Sequence, residues 1–430
     1  MLLRNHPCGA DLEEWGFKTR DISFGTLKCL ENIRLGLLPS HQYRCRIDAH
    51  LAASHIVSDV TIYRKDQIPS TFVTHADVEA VDYRYLLCGL NDGGVAIYDT
   101  STVKEGRVYA EAGVARGGQR GGHKHAVQCI QWYPADTGLF ATSCGDKTIK
   151  LWDTNRVKPV DQFKLDCCVG QHHMSPVATK HSLLAASADT GEIILCDLRT
   201  GSSSHRIVAH EAAIQVTRWS PRMQHVLVSG GSDHAVKVWD VRSAKGCVLA
   251  LDMDDMSFYG KHSRKRMKKN PVAHKSIITS LCFSSDGLWL LSFSYDGALK
   301  LWNSSTGENM NVVYGPTFTD LKRGFKMAVS HLTYPELVFV PCKRRIVTYE
   351  LFTGKLVNVL EGHLATALGV LYNPISRDLY SFGADRNFIT WTPKTLLTTE
   401  DIDESVYDGA SSSRPLIQTI TQDSWSDDED

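Results

Sequence analysis

The fold of this chain is decided by one recurring stretch, whose clearest copies are Thr142-Ser-Cys-Gly-Asp-Lys-Thr-Ile-Lys-Leu-Trp-Asp153, Ser229-Gly-Gly-Ser-Asp-His-Ala-Val-Lys-Val-Trp-Asp240 and Ser292-Phe-Ser-Tyr-Asp-Gly-Ala-Leu-Lys-Leu-Trp-Asn303. Each copy predicts a short apolar strand, a turn that contains Asp, and an alternating strand that ends in Trp. Fainter copies end at Tyr98, Cys196, Tyr349 and Trp391. The shorter spacings between copies match the period of about 40–45 residues that marks four-stranded propeller blades. Seven endings therefore predict an all-β, seven-bladed β-propeller.

The same polar residues recur in the copies that end in Trp. An Asp stands six residues before the Trp, a Ser or Thr stands four residues before that Asp, and a His precedes the Trp by 27 to 29 residues. The four sets are His125, Thr142, Asp146 and Trp152; His210, Ser229, Asp233 and Trp239; His274, Ser292, Asp296 and Trp302; and His363, Ser381, Asp385 and Trp391. Ser, His and Asp also form hydrolase triads, but a chain does not need four nucleophiles, and no Gly-x-Ser-x-Gly turn accompanies them. We therefore expect a buried network of carboxylate, imidazole, hydroxyl and indole inside each of these blades.

Two blades depart from this pattern. In the third, Asp189 stands seven residues before Cys196, which predicts a bulge or a longer turn. In the sixth, Pro341-Cys-Lys-Arg-Arg345 replaces the Asp turn, although the flanking residues still alternate as strands do. Irregular blades are tolerated because neighbouring blades bury their faces.

Composition and charge narrow the functional class. Lys plus Arg number 47 and Asp plus Glu 48, so a formal net charge of -1 gives no general attraction to nucleic acid or membrane. No apolar run approaches the ~20 residues of a bilayer-spanning helix, and the N-terminus lacks a secretory apolar region. The twelve cysteines form no Cys-x-x-Cys and no zinc-finger spacing. We expect an intracellular protein with reduced thiols and no cofactor, in which His172, His173 and His181 are structural and not metal ligands.

Two insertions lengthen the repeat. Residues 105–122 end in a Gly-rich segment, which we interpret as a linker because no Gly-Lys-Ser/Thr follows it. Residues 252–271 contain the basic run Lys261-His-Ser-Arg-Lys-Arg-Met-Lys-Lys269. That run is compatible with a nuclear-import signal or a nucleic-acid contact, and equally with a solvated loop.

An N-terminal arm, residues 1–56, precedes the propeller of residues 57–395. Its apolar residues fall on one side of a helix that Pro39 ends, and they are Phe24, Leu27, Leu30, Ile33 and Leu37. An apolar helix outside the blades packs either on the propeller or in the groove of a partner. Residues 55–63 then predict a strand that completes the last blade and closes the ring.

A C-terminal tail, residues 396–430, follows the last blade. It is acidic and Ser-rich and ends in Asp423-Ser-Trp-Ser-Asp-Asp-Glu-Asp430, a composition that predicts disorder. Ser426 would suit an acidophilic kinase, although such runs also serve simply as solvating tails.

Two consecutive blades carry the same motif directly after the bulky terminal position, Asp197-Leu-Arg199 and Asp240-Val-Arg242. Arg at this place leaves the blade at one face of the disc, so adjacent blades present two guanidinium groups side by side. Such a pair suits bidentate contacts with a partner, whereas each Arg could instead pair within its own blade. Since no activated nucleophile, metal cage or phosphate loop accompanies the motif, we interpret the chain as a binding protein and not an enzyme.

Tandem Asp-x-Arg after consecutive Trp-Asp (WD) blades resembles a known family, the WD-repeat substrate receptors of cullin-4 ubiquitin ligases, and among them the Cockayne syndrome group A receptors. The likeness covers about residues 75–393 and the acidic terminus around Trp425. The residues that carry it are Val127-Gln-Cys-Ile-Gln-Trp-Tyr-Pro-Ala-Asp-Thr-Gly138, Asp146-Lys-Thr-Ile-Lys-Leu-Trp-Asp-Thr-Asn155, His172-His-Met-Ser-Pro-Val-Ala-Thr-Lys-His181 and Trp302-Asn-Ser-Ser-Thr-Gly-Glu-Asn309.

The resemblance implies a non-catalytic nuclear receptor that docks on the large damaged-DNA-binding adaptor subunit. The residues implied in docking are Asp197, Arg199, Asp240, Arg242, Leu27, Leu30 and Ile33. The adaptor would connect to cullin-4 and a RING protein, and the opposite face would hold the Cockayne syndrome group B translocase at stalled RNA polymerase II. The process would be transcription-coupled nucleotide-excision repair, with no membrane contact and no direct nucleic-acid binding.

Two rival functions stay open at this point. One is a nuclear WD-repeat scaffold or chromatin-binding protein, for instance one that grips a histone tail, without a ligase. The other is a propeller enzyme, which would require titratable groups that converge in the central channel. The arm also exceeds the helical arm usual in the family, and the basic run of residues 261–269 is not a family feature.

Overall fold

The computed structural model describes residues 34–36, 40–58, 60–62, 71–104, 107–118, 121–243, 246–254, 271–331 and 333–394. Within these residues seven small antiparallel sheets form the seven predicted blades, which confirms the predicted fold class. One helix, α1 (Ser40–Ala53), precedes them. No helix in this described part is long and apolar enough to cross a membrane.

The blades are numbered in chain order, and their strands are given from the innermost to the outermost. The first strand of the chain, β1 (His55–Val57), belongs to the last blade. Blade 1 has β2 (Val73–Val78), β3 (Tyr85–Leu90), β4 (Val95–Lys104) and β5 (Val108–Ala115); blade 2 has β6 (Val127–Trp132), β7 (Leu139–Cys144), β8 (Thr148–Asp153) and β9 (Lys158–Lys164); blade 3 has β10 (Val169–Met174), β11 (Leu183–Ala188), β12 (Glu192–Asp197) and β13 (Ser202–Val208). Blade 4 has β14 (Ile214–Trp219), β15 (Val226–Gly231), β16 (Val236–Asp240) and β17 (Cys247–Ala250); blade 5 has β18 (Ile278–Phe283), β19 (Trp289–Ser294) and β20 (Leu299–Asn303); blade 6 has β21 (Ala328–Val329), β22 (Leu337–Cys342), β23 (Arg345–Glu350) and β24 (Leu356–Glu361); blade 7 has β25 (Ala367–Tyr372), β26 (Leu379–Gly383) and β27 (Phe388–Pro393).

The ring closes through β1, as the sequence predicts. This strand pairs antiparallel with β27, with His55 opposite Pro393 and Val57 opposite Trp391, and so becomes the fourth strand of blade 7. Without it, the outer edge of β27 would present unpaired backbone groups. The N-terminal and C-terminal parts of the propeller are therefore held together by main-chain hydrogen bonds within one blade.

The apolar core lies between successive blades. Trp152, Trp219, Trp302 and Trp391 are among the largest fully buried side chains. Each large apolar side chain buried in this way stabilises the fold by about 1.5–3 kcal/mol. Stability is therefore distributed around the ring, as in other repeat proteins.

The helix that the structure describes in the arm is not the predicted one. α1 begins just after Pro39, where the sequence predicts the end of a helix. Its Cys45 carbonyl accepts the Tyr334 N–H at 3.1 Å, and Asp48 Oδ1 lies 2.7 Å from Arg377 Nη2. Its pattern of apolar residues is weak, and the residues that it buries against blades 6 and 7 include Ala49, Leu51 and Ala52.

The bulge or longer turn predicted before the terminal strand position of blade 3 is wrong. β11 pairs with β12 in one continuous register, from Leu183 opposite Asp197 to Ser187 opposite Ile193. The connecting turn is as long as that of blade 2, and Thr190 takes the place that Asp146 has there. Asp189 is displaced by one position and instead accepts the Cys168 N–H at 3.2 Å.

Candidate functional site

Successive strand ends of a blade alternate between the two faces of the propeller, because neighbouring strands are antiparallel. The turns from the first to the second strand and from the third to the fourth open on one face, which we call the docking face. The connections between blades and the turns from the second to the third strand open on the opposite face. Asp197-Leu-Arg199 follows β12 and Asp240-Val-Arg242 follows β16, so both motifs lie on the docking face, in blades 3 and 4.

The same hydrogen bond recurs in five blades, at the end of the third strand in blades 2 to 5 and within β4 in blade 1. The backbone N–H of the residue two positions on donates to the side-chain oxygen of an Asp or Asn at 2.9 Å. The donor and acceptor pairs are Ser101 and Asp99, Asn155 and Asp153, Arg199 and Asp197, Arg242 and Asp240, and Ser305 and Asn303. This Asx turn fixes the backbone of the donor residue. Among these five turns, those of blades 3 and 4 place Arg there.

Arg242 forms a bidentate ion pair within its own turn. Its Nε donates to Asp240 Oδ1 at 3.0 Å and its Nη2 to Asp240 Oδ2 at 2.7 Å. The hydrogen bond from Arg242 is the main cause that lowers the pKa of Asp240. The Arg242 side chain is 65% exposed, so the pairing orients the guanidinium without burying it.

Arg199 is held differently. Its Nη2 donates to the Lys180 carbonyl at 3.1 Å, and within the described residues no carboxylate lies within 4.0 Å of its guanidinium. The Asp197 carboxylate accepts the Arg199 backbone N–H at 2.9 Å and does not reach the guanidinium. The Arg199 guanidinium therefore keeps donors for a partner, whereas the possibility of pairing within its own blade is realised by Arg242.

A shallow depression lies beside each arginine. The depression at Arg242 has a volume of about 320 Å³ and is lined by Val177 and Met223 from the turns of blades 3 and 4. The depression at Arg199 has about 310 Å³ and is lined by Tyr133 among others, between blades 2 and 3. Apolar walls beside an exposed guanidinium form a surface that suits a protein partner with both apolar and acidic or carbonyl groups.

The N-terminal residues predicted to share in docking, Leu27, Leu30 and Ile33, lie outside the described residues, as do the basic run 261–269 and the tail 395–430. α1 contacts first-to-second-strand turns of blades 6 and 7 at Tyr334 and Arg377, which also open on the docking face. Sequence patterning missed this helix because Ala49 and Ala52, which it buries, are small.

The blade network predicted around His125 is built on His123 instead. His123 Nδ1 lies 3.0 Å from Asp146 Oδ2, its Nε2 lies 2.7 Å from Thr142 Oγ1, and Thr142 Oγ1 accepts the Trp152 indole N–H at 2.8 Å. His125 is exposed and contributes its carbonyl to Cys144 Sγ at 3.2 Å. Both histidines fall within the spacing that the sequence allows, and the closer match of His123 to the spacing of His210 and Trp239 is the signal that distinguishes them.

Blades 4 and 7 contain the complete network with the residues that the sequence predicts. His210 joins Asp233 at 2.8 Å and Ser229 at 2.7 Å, and Trp239 donates to Ser229 at 2.8 Å. In blade 7 the corresponding distances among His363, Asp385, Ser381 and Trp391 are 3.1, 2.8 and 2.8 Å. Burial alone would raise the pKa of Asp385, but the hydrogen bond from His363 and further donors outweigh it and lower the pKa to about 2.

Blade 5 lacks one link of the predicted network. His274 Nε2 lies 2.6 Å from Ser292 Oγ and Trp302 donates to the same oxygen at 2.8 Å. Asp296 is exposed and accepts the Ala298 N–H, and His274 Nδ1 has no hydrogen-bond partner within the described residues. Burial lowers the pKa of His274 to about 3, so this imidazole is neutral near pH 7.

Blade 3 replaces the whole network with apolar side chains. Cys167, Ala186 and Cys196 occupy the positions that His123, Thr142 and Trp152 have in blade 2, and all three are buried in one apolar cluster. The exchange is concerted because leaving a single donor or acceptor of the network unpaired would cost about 1–3 kcal/mol.

One group of three possible metal ligands occurs in the described part of the chain. Ligand atoms of His123, Cys144 and Asp146 lie within 4.8 Å of one another. The imidazole and the carboxylate are already bonded to each other, and Lys150 Nζ is fixed nearby on the Gly121 carbonyl. We therefore assign these groups to blade packing.

Titratable groups also line the central channel, which a propeller enzyme would require. Asp77 of blade 1 pairs with Lys326, which directly precedes blade 6, and Asp77 Oδ2 accepts the Trp132 N–H at 3.0 Å. His173 Nδ1 similarly accepts the Trp219 N–H at 3.0 Å. These acceptors link the innermost strands of neighbouring blades, so they serve the structure of the ring.

Comparison with known proteins agrees with this geometry. Residues 118–153, 201–240 and 266–303 match the WD40 family model, "WD domain, G-beta repeat". The chain is 27% identical over 402 residues to the Arabidopsis thaliana "WD repeat-containing protein ATCSA-1", covering 78% of this chain and 88% of the relative. It is 27% identical over 205 residues to the Saccharomyces cerevisiae "Radiation-sensitive protein 28", covering 43% and 39%, and 23% identical over 292 residues to the Aspergillus niger "Nuclear distribution protein nudF", covering 63% and 59%.

The matched segments contain the third-strand endings of blades 2, 4 and 5, at Trp152, Trp239 and Trp302. WD40 propellers typically serve as non-catalytic scaffolds for protein–protein contacts. The chain has the fold of a seven-bladed β-propeller, and three of its blades match the WD40 repeat.

Proposed function

We propose that this propeller is the substrate-recognition subunit of a cullin-4 RING ubiquitin ligase, and that it docks on the large damaged-DNA-binding adaptor through Arg199 and Arg242. One observation carries the proposal: the same Asx turn recurs around the docking face, and neighbouring blades 3 and 4 use it to display Arg. A scaffold without an adaptor has no need of this pair. The relative named ATCSA-1, aligned over 78% of this chain, supports the same class of receptor.

In this proposal the protein acts by proximity. It would fix a bound target, such as the Cockayne syndrome group B translocase at stalled RNA polymerase II, near the conjugating enzyme carried by the RING protein. This raises the effective concentration of target lysines at the conjugating enzyme. The chain itself would supply two binding faces in the nucleus and no catalytic group, in the service of transcription-coupled repair.

The electrostatics of the two arginines suit this role. Arg242 is oriented by Asp240, so little side-chain freedom is lost when a partner binds. Arg199 retains free donors for carboxylates or carbonyls of the adaptor. The depressions beside them would receive apolar side chains of the adaptor.

Co-expression with the adaptor followed by size-exclusion chromatography tests the proposal. The wild-type chain should co-elute with the adaptor, and Arg199→Ala/Arg242→Ala should weaken the complex while circular dichroism stays unchanged. Asn155→Ala/Ser305→Ala is the matched control, because these residues occupy the same turn position in blades 2 and 5. Absence of any complex with the wild-type chain would favour the WD-repeat scaffold without a ligase.

A further inference from the structure

The face opposite the docking face carries a local excess of positive charge over blades 5 to 7. The residues of this basic patch are Lys275, Lys322, Arg323, Lys343, Arg344 and Arg386, and all six are exposed. They lie on the connections into blades 5 and 6 and on the second-to-third-strand turns of blades 6 and 7. The formal net charge of the whole chain is only -1, so this excess belongs to one region and not to the composition.

Two of these cations occupy backbone positions that favour glycine. Every blade passes from its second to its third strand through a residue with positive φ. Blades 1, 3 and 5 have Gly93, Gly191 and Gly297 there, with φ of 86°, 83° and 84°, whereas blades 2, 4, 6 and 7 have Lys147, His234, Lys343 and Arg386, with φ of 63°, 67°, 53° and 65°. A side chain in this region strains the backbone, and strained positions cluster at functional sites. Blades 6 and 7, like blade 2, therefore keep a cation where glycine would fit better.

Several contacts join the patch across neighbouring elements. The Lys343 carbonyl accepts the Ala367 N–H at 2.6 Å, which links the turn of blade 6 to blade 7. Lys343 Nζ lies 5.9 Å from the centre of the Phe318 ring and 3.9 Å from Asp320 Oδ1. Lys322 Nζ lies 5.6 Å from the centre of the Tyr295 ring in the corresponding turn of blade 5. These contacts connect the turns of blades 5, 6 and 7 on this face.

Arg323 places the edge of the patch at the mouth of the central channel. A Cβ on the adjacent Gly324 would stand 2.5 Å from the Gln215 carbonyl oxygen and 2.6 Å from Gln171 Nε2, in blades 4 and 3. The Gln171 amide is buried and has no hydrogen-bond partner within the described residues. Burial lowers the pKa of Arg323 although its side chain is exposed, as expected for a cation in a concave site.

The patch has unused donors for an anionic partner. Among the described residues, no carboxylate lies within 4.0 Å of the guanidinium groups of Arg323, Arg344 or Arg386. The facing acids are the exposed Asp296 in the turn of blade 5, Asp320, which lies 3.9 Å from Lys343, and Glu361, which pairs with Arg345 at 3.0 Å.

Exposed apolar side chains lie within the same surface. Phe318 is 59% exposed beside Lys343, and Leu364, 74% exposed, follows His363 and donates its N–H to Asp385 in the turn that holds Arg386. Asp320 and Glu361 also interrupt the run of cations, which a continuous phosphate backbone would not tolerate well. A mixture of unpaired cations, apolar groups and a few acids matches a peptide better than a nucleic acid.

We propose that this basic patch binds an acidic segment of a partner protein, in which aromatic or aliphatic side chains stand between Asp and Glu residues. The carboxylates contact Arg323, Lys343, Arg344 and Arg386, and an apolar side chain covers Phe318 or Leu364. The site is independent of adaptor docking, because it lies at the opposite ends of the strands.

Fluorescence anisotropy with the full-length protein tests the site. The probe is a labelled peptide in which Glu and Asp flank Phe and Leu; its comparison probes are the same peptide with Gln and Asn, and a single-stranded oligonucleotide of equal charge. The acidic peptide should bind to the wild-type protein, and Lys343→Gly/Arg386→Gly should weaken its binding by about tenfold or more. High salt should likewise weaken binding of the peptide to the wild-type protein. Lys147→Gly is the control, because it makes the same change in the same turn of blade 2, outside the patch.

Glycine at these turns relieves the backbone, so loss of binding by Lys343→Gly/Arg386→Gly with an unchanged or raised melting temperature supports the site. Equal loss with Lys147→Gly would overturn it, as would failure of the acidic peptide to bind. Tighter binding of the oligonucleotide, lost in the same variant, would overturn the assignment to a peptide. Adaptor binding by the variant, measured in parallel, shows separately whether the docking face is intact.

Discussion

Asp240 accepts hydrogen bonds from both Nε and Nη2 of Arg242, at 3.0 and 2.7 Å. In the corresponding turn of blade 3, Arg199 instead donates to a backbone carbonyl. The two arginines of the repeated motif are therefore prepared differently, although their backbones are fixed by the same hydrogen bond. Arg242 is oriented in advance, and Arg199 is left free for a partner. This difference permits separate predictions for the two blades.

Asp240→Asn should weaken adaptor binding by no more than about fivefold, because exposed ion pairs of this kind stabilise an orientation only weakly. Asp153→Asn makes the same change in the corresponding turn of blade 2 and should leave the affinity unchanged. Isothermal titration calorimetry with purified adaptor measures both. Equal affinities for the wild type and Asp240→Asn would show that Asp240 does not orient Arg242 for binding.

His123→Ala should destabilise the propeller by about 2–4 kcal/mol, since it leaves a cavity and two buried polar groups without their partner. His125→Ala should change the stability by less than about 0.5 kcal/mol, because His125 is exposed. Urea denaturation followed by tryptophan fluorescence compares the two. The reverse order of stabilities would mean that His125 belongs to the network after all.

Ser229→Ala should cost about 2–3 kcal/mol, because the hydroxyl is the acceptor of Trp239 and the partner of His210 at 2.8 and 2.7 Å. The opposite change, Ala186→Ser, is made at the equivalent position of blade 3 and should also destabilise, because it places a hydroxyl in the apolar cluster that contains Cys167 and Cys196. Thermal unfolding measures both variants. A stabilising Ala186→Ser would contradict the concerted replacement of the network in blade 3.

The repeat made most of the fold predictable from the sequence. Trp152, Trp239 and Trp302 mark the third strands directly, so the number and order of blades follow from their spacing. The choice between His123 and His125 could not be made with the same certainty, because a connection of variable length precedes the first strand of each blade. Thr190 was hidden for a related reason: Asp189 imitates the consensus residue from the adjacent position.

The contacts that side chains make within turns and between blades were harder to predict from the sequence. Whether Arg242 pairs within its turn depends on rotamers that a motif does not specify, and the patch around Lys343 is assembled from turns of three blades. α1 was missed because Ala49 and Ala52, which it buries, give little amphipathic signal.

Acidification should destabilise the protein well before its carboxylates titrate. Burial lowers the pKa values of His172 and His274 to about 3, so the unfolded chain binds protons below about pH 6.5 that the folded chain does not. The free energy of unfolding should therefore fall as the pH decreases from 6.5 towards 3, by about 1–2 kcal/mol for each histidine at pH 5. Burial alone would raise the pKa of Asp146, but hydrogen bonds from Thr148 and His123 outweigh burial and lower this pKa to about 2. The contribution of Asp146 to the free energy of unfolding is therefore lost only below about pH 4.

Chemical denaturation at pH 7 and pH 5 checks this sign, and His274→Gln should reduce the difference between the two values. Equal stability at both pH values would contradict the burial of neutral imidazoles.

Deletion of residues 1–57 should lower the melting temperature by several degrees and promote association, because it removes β1 and exposes the edge of β27. Deletion of residues 1–39 keeps α1 and β1 and should leave the melting temperature nearly unchanged. Differential scanning calorimetry with light scattering distinguishes the two. Identical melting temperatures would show that β1 does not hold the ring closed.

The most direct test of the receptor proposal is the dissociation constant of the complex with purified adaptor, measured for the wild type and for Arg199→Ala/Arg242→Ala. Arg206→Ala is the control, because Arg206 pairs with Asp166 away from the docking face. Two lost charge-assisted hydrogen-bonding groups predict an increase of about 100-fold or more for the double variant, and an unchanged value for Arg206→Ala. A double variant that binds as tightly as the wild type would contradict docking through these arginines.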